Sequence, residues 1–280
     1  MPLTNPLRRL SRRTLLTCAG VVAAGAALTV GVAVHGPDAA AERALTGAEV
    51  QRFAMARMST YEASPAELRI TVPQDEKQAM VVEGLVDYRV HRAVGRYHMT
   101  DRQARGGTGM LAWDMGGLGV APDKEEQGPD KAKQGPDAAR DADPRSIAKA
   151  ASGLRGPAWS PRAYSTDPLD IALRMTHMLG SNRPENAQLL AQAGPRWLGR
   201  ESLDGTDYDI VSGPRPSAKD KPAVRTTRSP LKYWIGPTGD LRRVEAAVRG
   251  LPGPVRIDIV AGRSAAKVPD TPWGGPARRA

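Results

Sequence analysis

Cysteine is nearly absent from this chain. Cys18 is the only one in 280 residues, so the chain can form no internal disulfide and no cysteine-bound metal centre. Histidine is scarce too: His35, His91, His98 and His177 are the full set, and no pair has metal-ligand spacing. On one continuous strand His91 and His98 would face opposite ways. Aromatic residues make up 4 % of the chain, with a single Phe, which excludes extensive stacking platforms for bases. Gly262-Arg263-Ser264-Ala265-Ala266 lacks the closing glycine of a nucleophile elbow. Gly107-Thr108-Gly109-Met110-Leu111-Ala112 has loose nucleotide-loop spacing, but no strand-helix-strand pattern surrounds it, and a turn is the simpler reading. These absences point to a non-catalytic protein without a cofactor or metal. An exported hydrolase is the enzyme class that the missing motifs count against.

Long uncharged runs are also rare, and the one from Leu15 to Val34 follows Arg8, Arg9, Arg12 and Arg13. His35-Gly36-Pro37 breaks it, and Ala39-Ala40-Ala41 offers a small-residue cleavage site through Ala39 and Ala41. Basic, apolar, then small is the layout of an export signal. Ser11-Arg12-Arg13-Thr14-Leu15-Leu16 resembles the twin-arginine motif, with Arg12 and Arg13 as its pair. A segment of this length at ~1.5 Å per residue also reaches ~30 Å, enough to span a bilayer. Residues 1–41 are therefore either a cleaved signal or a signal anchor held by its arginines. Cys18 sits at the start of the apolar run, where a lipid-modified cysteine is not expected. Both readings place residues 42–280 on the extracytoplasmic side, secreted or held at the membrane.

The net charge is +10. Outside the membrane such an excess argues against nucleic acid; it suits anionic headgroups or wall polymers, and its simplest account is that surface Arg is common in a chain rich in Ala, Gly, Pro and Arg.

Thr46-Gly47-Ala48-Glu49 reads as a capping box opening a helix to about residue 60. Leu68, Ile70 and Val72 alternate with polar residues, as do Met80, Val82, Val86, Tyr88 and Val90, so two half-buried antiparallel strands are expected. Shorter strands fit at 93–100, 108–114 and 117–121. Residues 122–156 carry a polar, Pro- and Gly-rich near-repeat and read as a disordered insert. Asp167-Pro168 opens a helix that Gly180 closes, and a short helix begins near Pro184. Asp204-Gly205 marks a hairpin turn. Residues 213–230 read as a flexible loop, followed by strands through Leu231–Ile235, Val244–Val248 and Val255–Ile259. The tail at 263–280 has no period and reads as loose. The layout is one α+β domain over 42–262, its antiparallel strands covered by a few helices.

Two segments carry a family resemblance. Gly199-Arg200-Glu201-Ser202-Leu203-Asp204-Gly205 resembles a hairpin of the LolA-like carriers and the related LppX/LprG-type envelope lipoproteins. Tyr233-Trp234-Ile235-Gly236-Pro237-Thr238-Gly239-Asp240-Leu241-Arg242-Arg243-Val244 resembles their aromatic strand, Gly turn and Leu-x-Arg-Val return. The resemblance implies a curved antiparallel half-barrel with helices on its concave side, and an apolar cavity for a lipid or lipoprotein. It departs from the lipoprotein pattern in lacking a properly placed lipobox.

Val82, Val86, Tyr88, Trp113, Leu173, Tyr233 and Ile235 are the candidate cavity lining, with a filled core as the alternative. Met55, Met58, Met175 and Met178 could add an adaptable lining. The expected partner is a lipid or other hydrophobic small molecule, with the membrane a partner through residues 15–34 if they stay uncut. The competing class is an anchored sensor or interaction domain that reports envelope state to a protein partner.

Overall fold

The computed structural model describes residues 42–100, 107–122, 143–154, 156–215, 229–260 and 264–270. The export segment, with Arg12, Arg13, Ala39 and Ala41, lies outside the described residues, as do 123–142 and 216–228.

In chain order the elements are β1 (Arg43–Ala44), α1 (Gly47–Glu62), β2 (Ala66–Pro73), β3 (Ala79–Asp87), β4 (Arg92–Met99), β5 (Gly109–Asp114) and β6 (Leu118–Pro122). Then come α2 (Pro144–Gly153), β7 (Ser160–Arg162), α3 (Pro168–His177), α4 (Ala187–Gln192), β8 (Arg196–Leu203), β9 (Thr206–Ser212), β10 (Leu231–Ile235), β11 (Leu241–Ala246) and β12 (Val255–Ile259). All strands join one 12-stranded sheet in the order β1-β8-β9-β10-β11-β12-β2-β3-β4-β5-β6-β7. Every pairing is antiparallel, and β1 and β7 are free edges, so the sheet is open. The last strand, β12, pairs with β2, which knits the two halves of the chain together.

The sheet is curved around its helices. α3 packs against β12 and β2 on one side and β5 on the other, as a helix does in a trough. α1 lies over β10 and β11, and α4 leans on α1. The inner apolar face joins Leu68, Ile70, Val72, Val82, Val86, Val244 and Ile257 with Phe53 and Ala54 of α1 and Ala172 and Leu173 of α3. This matches the α+β half-barrel expected from the sequence.

The local causes are those read from the sequence. Thr46 and Glu49 form the reciprocal capping box of α1, and Arg43 clamps Glu49 from outside. The Arg43 hydrogen bonds are the main reason the Glu49 carboxyl is held down at about 2. Asp167 caps α3 by accepting from the Leu169 N–H at 2.9 Å, with Pro168 in the first turn. At the β8–β9 turn, Asp204 and Gly205 both take positive φ, 52° and 78°, as a type I′ hairpin requires.

Three expectations fail. Residues 144–153, placed in a disordered insert, form α2, capped by Asp143. Its Ile147, Ala148 and Ala151 pack with Leu85, Val94, Met110 and Ala112 on the outer face of the sheet. Averaged composition hid these few apolar residues, which suffice because the sheet offers them an apolar surface. The tail is not loose throughout: Ala266 and Val268 are buried in the same outer cluster. Thirdly, β3 stops at Asp87, so Val90 is exposed and Tyr88 sits in the turn, fully buried. Because β3–β6 are covered on both faces, β5 reads as a continuous apolar run rather than an alternating one.

Candidate functional site

The seven candidate residues converge on one inner cluster. Val82, Val86, Tyr88, Trp113, Leu173 and Ile235 are buried, and Tyr233 packs against them half-buried. Tyr88, Trp113 and Leu173 meet at α3. Tyr233 and Ile235 lie on β10, where the Phe53 ring of α1 stands 5.1 Å from that of Tyr233. Burial pushes the Tyr233 hydroxyl up to about 12. As it stands this face is filled core. Of the four methionines, Met175 packs against it, whereas Met178 is exposed.

The placement of Tyr88 has a local cause. The Ser64 hydroxyl donates to Asp87 Oδ1 at 2.9 Å and accepts the Tyr88 N–H at 2.8 Å. This turns the chain and sends the ring inward. Asp87 is thus a structural acceptor, taking the Ser64 hydroxyl and the Arg89 N–H. The chain leaving α3 then crosses directly over the Tyr88 ring. A Cβ on Gly180 would lie 2.5 Å from that ring, so only glycine passes there. Trp113 Nε1 donates to Thr176 Oγ1 at 3.0 Å, tying β5 to α3.

Beneath the C-terminal end of α3 the polar groups are poorly matched. The Tyr88 hydroxyl, both ring nitrogens of His177, and His91 Nδ1 are buried without a hydrogen-bond partner. The two imidazoles stand 6.5 Å apart between centroids. Burial, and secondarily His91, pushes His177 down to about 4; burial also raises the Tyr88 hydroxyl. Sequence reasoning missed the pairing of His91 with His177, because nothing local to either residue signals it.

The N-terminal end of α3 is the opposite case. Asp170 is fully buried and bound by both guanidinium nitrogens of Arg162, at 2.6 and 2.8 Å, and by the Ser165 N–H and hydroxyl, each at 2.7 Å. Burial opposes its ionisation, but these bonds outweigh it and hold Asp170 below the ordinary carboxyl range. Arg162 belongs to the edge strand β7, so this cluster latches α3 to the sheet rim.

The residues of the two family-like hairpins face each other. Trp234 Nε1 donates to Glu201 at 2.7 Å, and Arg242 pairs with Asp204 at 2.8 Å. Arg243 reaches Asp258 at 2.6 Å. Buried Asp209 accepts from Arg52, Trp197 and Arg200, joining α1, β8 and β9. These are structural ties. The Gly107–Ala112 segment enters β5 with no helix after it, so it is no nucleotide loop. Among the described residues, no group of three or more metal-ligating side chains is present.

Two surface pockets lie elsewhere and contain none of the seven candidates. One, of about 340 Å³, runs between Pro230, Lys232, Ala247, Val248 and Leu251. The other, of about 120 Å³, is bordered by Glu42, Arg196, Ser212, Arg215, Ser229 and Lys232.

No protein-family model matches the chain, and no curated protein matches it. Among solved structures it is similar to LprF from Mycobacterium bovis, at 16 % identity and TM-score 0.40, covering 81 % of this chain and 98 % of that one. It is also similar to the lipoprotein LppX from Mycobacterium tuberculosis, at 13 % identity and TM-score 0.36, covering 75 % and 94 %. A third is a DUF1329 family protein from Desulfovibrio piger, at 13 % identity and TM-score 0.27, covering 81 % and 95 %. With scores this low the fold rests on the strand order itself. Among the described residues no helix is long and apolar enough to cross a membrane.

Proposed function

We propose that this is an exported, non-catalytic envelope protein that takes up a lipid or other hydrophobic ligand on the concave face of its sheet. Residues 1–41 direct export, and α3 with α4 is the cover that lifts. The observation that carries this reading is the uneven attachment of α3. Its N-terminal end is latched by the two-pronged Arg162–Asp170 pair, while its C-terminal end is tied by one side-chain hydrogen bond, from Trp113 to Thr176, and lies among four unpartnered polar atoms of His177, His91 and Tyr88. Each buried unpaired polar group costs about 1–3 kcal/mol, so the C-terminal end is the one that opens at least cost. Opening uncovers Trp113, Leu173 and the apolar strand positions beneath. An acyl chain laid there gains ~0.8 kcal/mol per buried CH₂.

The test is saturable uptake of a fluorescent fatty-acid or phospholipid probe, with native mass spectrometry of protein extracted from its own envelope. A co-extracted lipid and saturable uptake are expected. If neither is seen, the carrier reading fails and the anchored sensor domain becomes the better account. Export is tested separately with a reporter active only outside the cytoplasm. Replacing Arg12 and Arg13 by Lys should abolish reporter activity, and undiminished activity would rule out the twin-arginine route.

A further inference from the structure

The smaller surface pocket is built for an anion. Arg196, Arg215 and Lys232 border it against one carboxylate, Glu42. Glu42 is already engaged: Arg196 approaches its carboxylate at 3.4 Å and donates to its backbone carbonyl at 2.9 Å. Among the described residues, Arg215 and Lys232 have no ion-pair partner. Arg215 is nonetheless held in place. Its N–H donates to the Ala193 carbonyl at 3.0 Å, and its guanidinium lies over Gly194, where a Cβ would stand 3.2 Å from Nε. Ser229 Oγ accepts the Leu231 N–H at 3.2 Å and keeps its own proton to donate. Two unpaired cations and a free hydroxyl around about 120 Å³ suit one phosphate group.

Lys232 also borders the larger pocket, of about 340 Å³, whose other walls include Pro230, Ala247, Val248, Leu251, Pro254 and one carboxylate, Glu245, which lies across the strand pair from Lys232 and is paired with Arg256 at 3.2 Å. A cationic pocket and an apolar groove therefore share one lysine. That is the layout for an amphiphile with an anionic head. The pocket is also bordered by Glu42, the residue directly after the 41 that carry the export segment. A membrane-held chain has headgroups within a short reach of this residue.

From this we infer a second binding site: the pocket of Arg196, Arg215, Ser229 and Lys232 binds the phosphate of an anionic membrane lipid, with its acyl portion in the adjoining groove. This site is separate from the concave face and does not depend on the carrier reading.

The experiment uses the full chain in a non-ionic detergent. Calorimetric titration compares dihexanoylphosphatidylglycerol, dihexanoylphosphatidylcholine and inorganic phosphate. The phosphatidylglycerol should bind saturably, at least tenfold more tightly than the zwitterionic lipid, and more weakly as salt rises. Inorganic phosphate should compete at lower affinity. Arg215→Gln with Lys232→Gln should weaken the lipid at least tenfold with an unchanged melting temperature, since both side chains are exposed. The same double variant should take up the neutral acyl probe as the parent does, which separates the two sites. Unchanged lipid affinity in the double variant, or equal binding of both lipids, overturns the site. Inorganic phosphate binding as tightly as the lipid overturns the lipid occupant and leaves a free-phosphate site.

Discussion

His177 is a residue whose surroundings disfavour its charged form. Folded, it is pushed down to about 4 by burial and by His91; unfolded, it returns to about 6.5. Between those values the unfolded chain binds the extra proton, so stability falls as pH drops from about 6.5 to about 4. The loss amounts to about 3 kcal/mol. Urea denaturation at pH 7 and pH 4.5 should show it, and His177→Leu should remove most of the difference. An equal pH dependence in that variant would show that another group is responsible. Asp209 is the contrasting residue, because its buried charge is fully matched by Arg52, Trp197 and Arg200. Asp209→Asn should cost about 2–3 kcal/mol by leaving the arginines without their counter-charge. Denaturant midpoints at unchanged slope would measure it.

α2 and α3 differ in how their sequences announce them. Asp167-Pro168 and the spacing through Leu173 are strong local signals, and α3 forms where they point. The α2 signals, Asp143-Pro144 and three apolar side chains, are comparable in kind but sit in a polar, Pro-rich stretch. Their weight depends on the apolar outer face of β3–β6, which no window of sequence displays. Ile147→Asp should therefore destabilise the whole domain by about 3 kcal/mol, since it buries a charge against Leu85 and Met110. A thermal midpoint within a degree of the parent would show that α2 is dispensable. The latch on α3 makes a functional prediction at the same scale. Arg162→Gln removes the bidentate partner of Asp170, so it should lower the melting temperature while the rate of acyl-probe uptake, set by the other end of α3, stays within about twofold of the parent. Uptake several-fold faster would place the opening at the latched N-terminal end instead.

For the whole molecule, the consequential feature is an open sheet with two covered faces. α1, α3 and α4 cover the inner face, while α2 with Ala266 and Val268 covers part of the outer one. Beside the 16-residue α1, the rest of the inner cover is in short pieces, since α3 has 10 residues and α4 has 6. Short helices are marginal alone and depend on packing, so the cover can detach while the strand ladder persists. Native-state hydrogen exchange should show α3 and α4 exchanging faster than β2, β3 and β12. Protection of α3 equal to that of the central strands would argue against a separable cover.

Sequence alone determined β2, because its period-two alternation reflects one buried and one more exposed face. It also determined the starts of α1 and α3 and the β8–β9 turn, because capping boxes, Asx caps and Asp-Gly turns act within four residues. It picked out the inner-face residues as apolar, and all seven do converge. Only the tertiary structure decided that they fill a core, since a lining and a core have the same composition. Only it paired His91 with His177, Arg162 with Asp170, and Glu201 with Trp234, because each contact joins separate elements and no local stretch of sequence displays it. The anion pocket belongs to that second kind. Arg196, Arg215 and Lys232 look like scattered surface cations in the sequence, and the β8-β9-β10 neighbourhood brings them to one place.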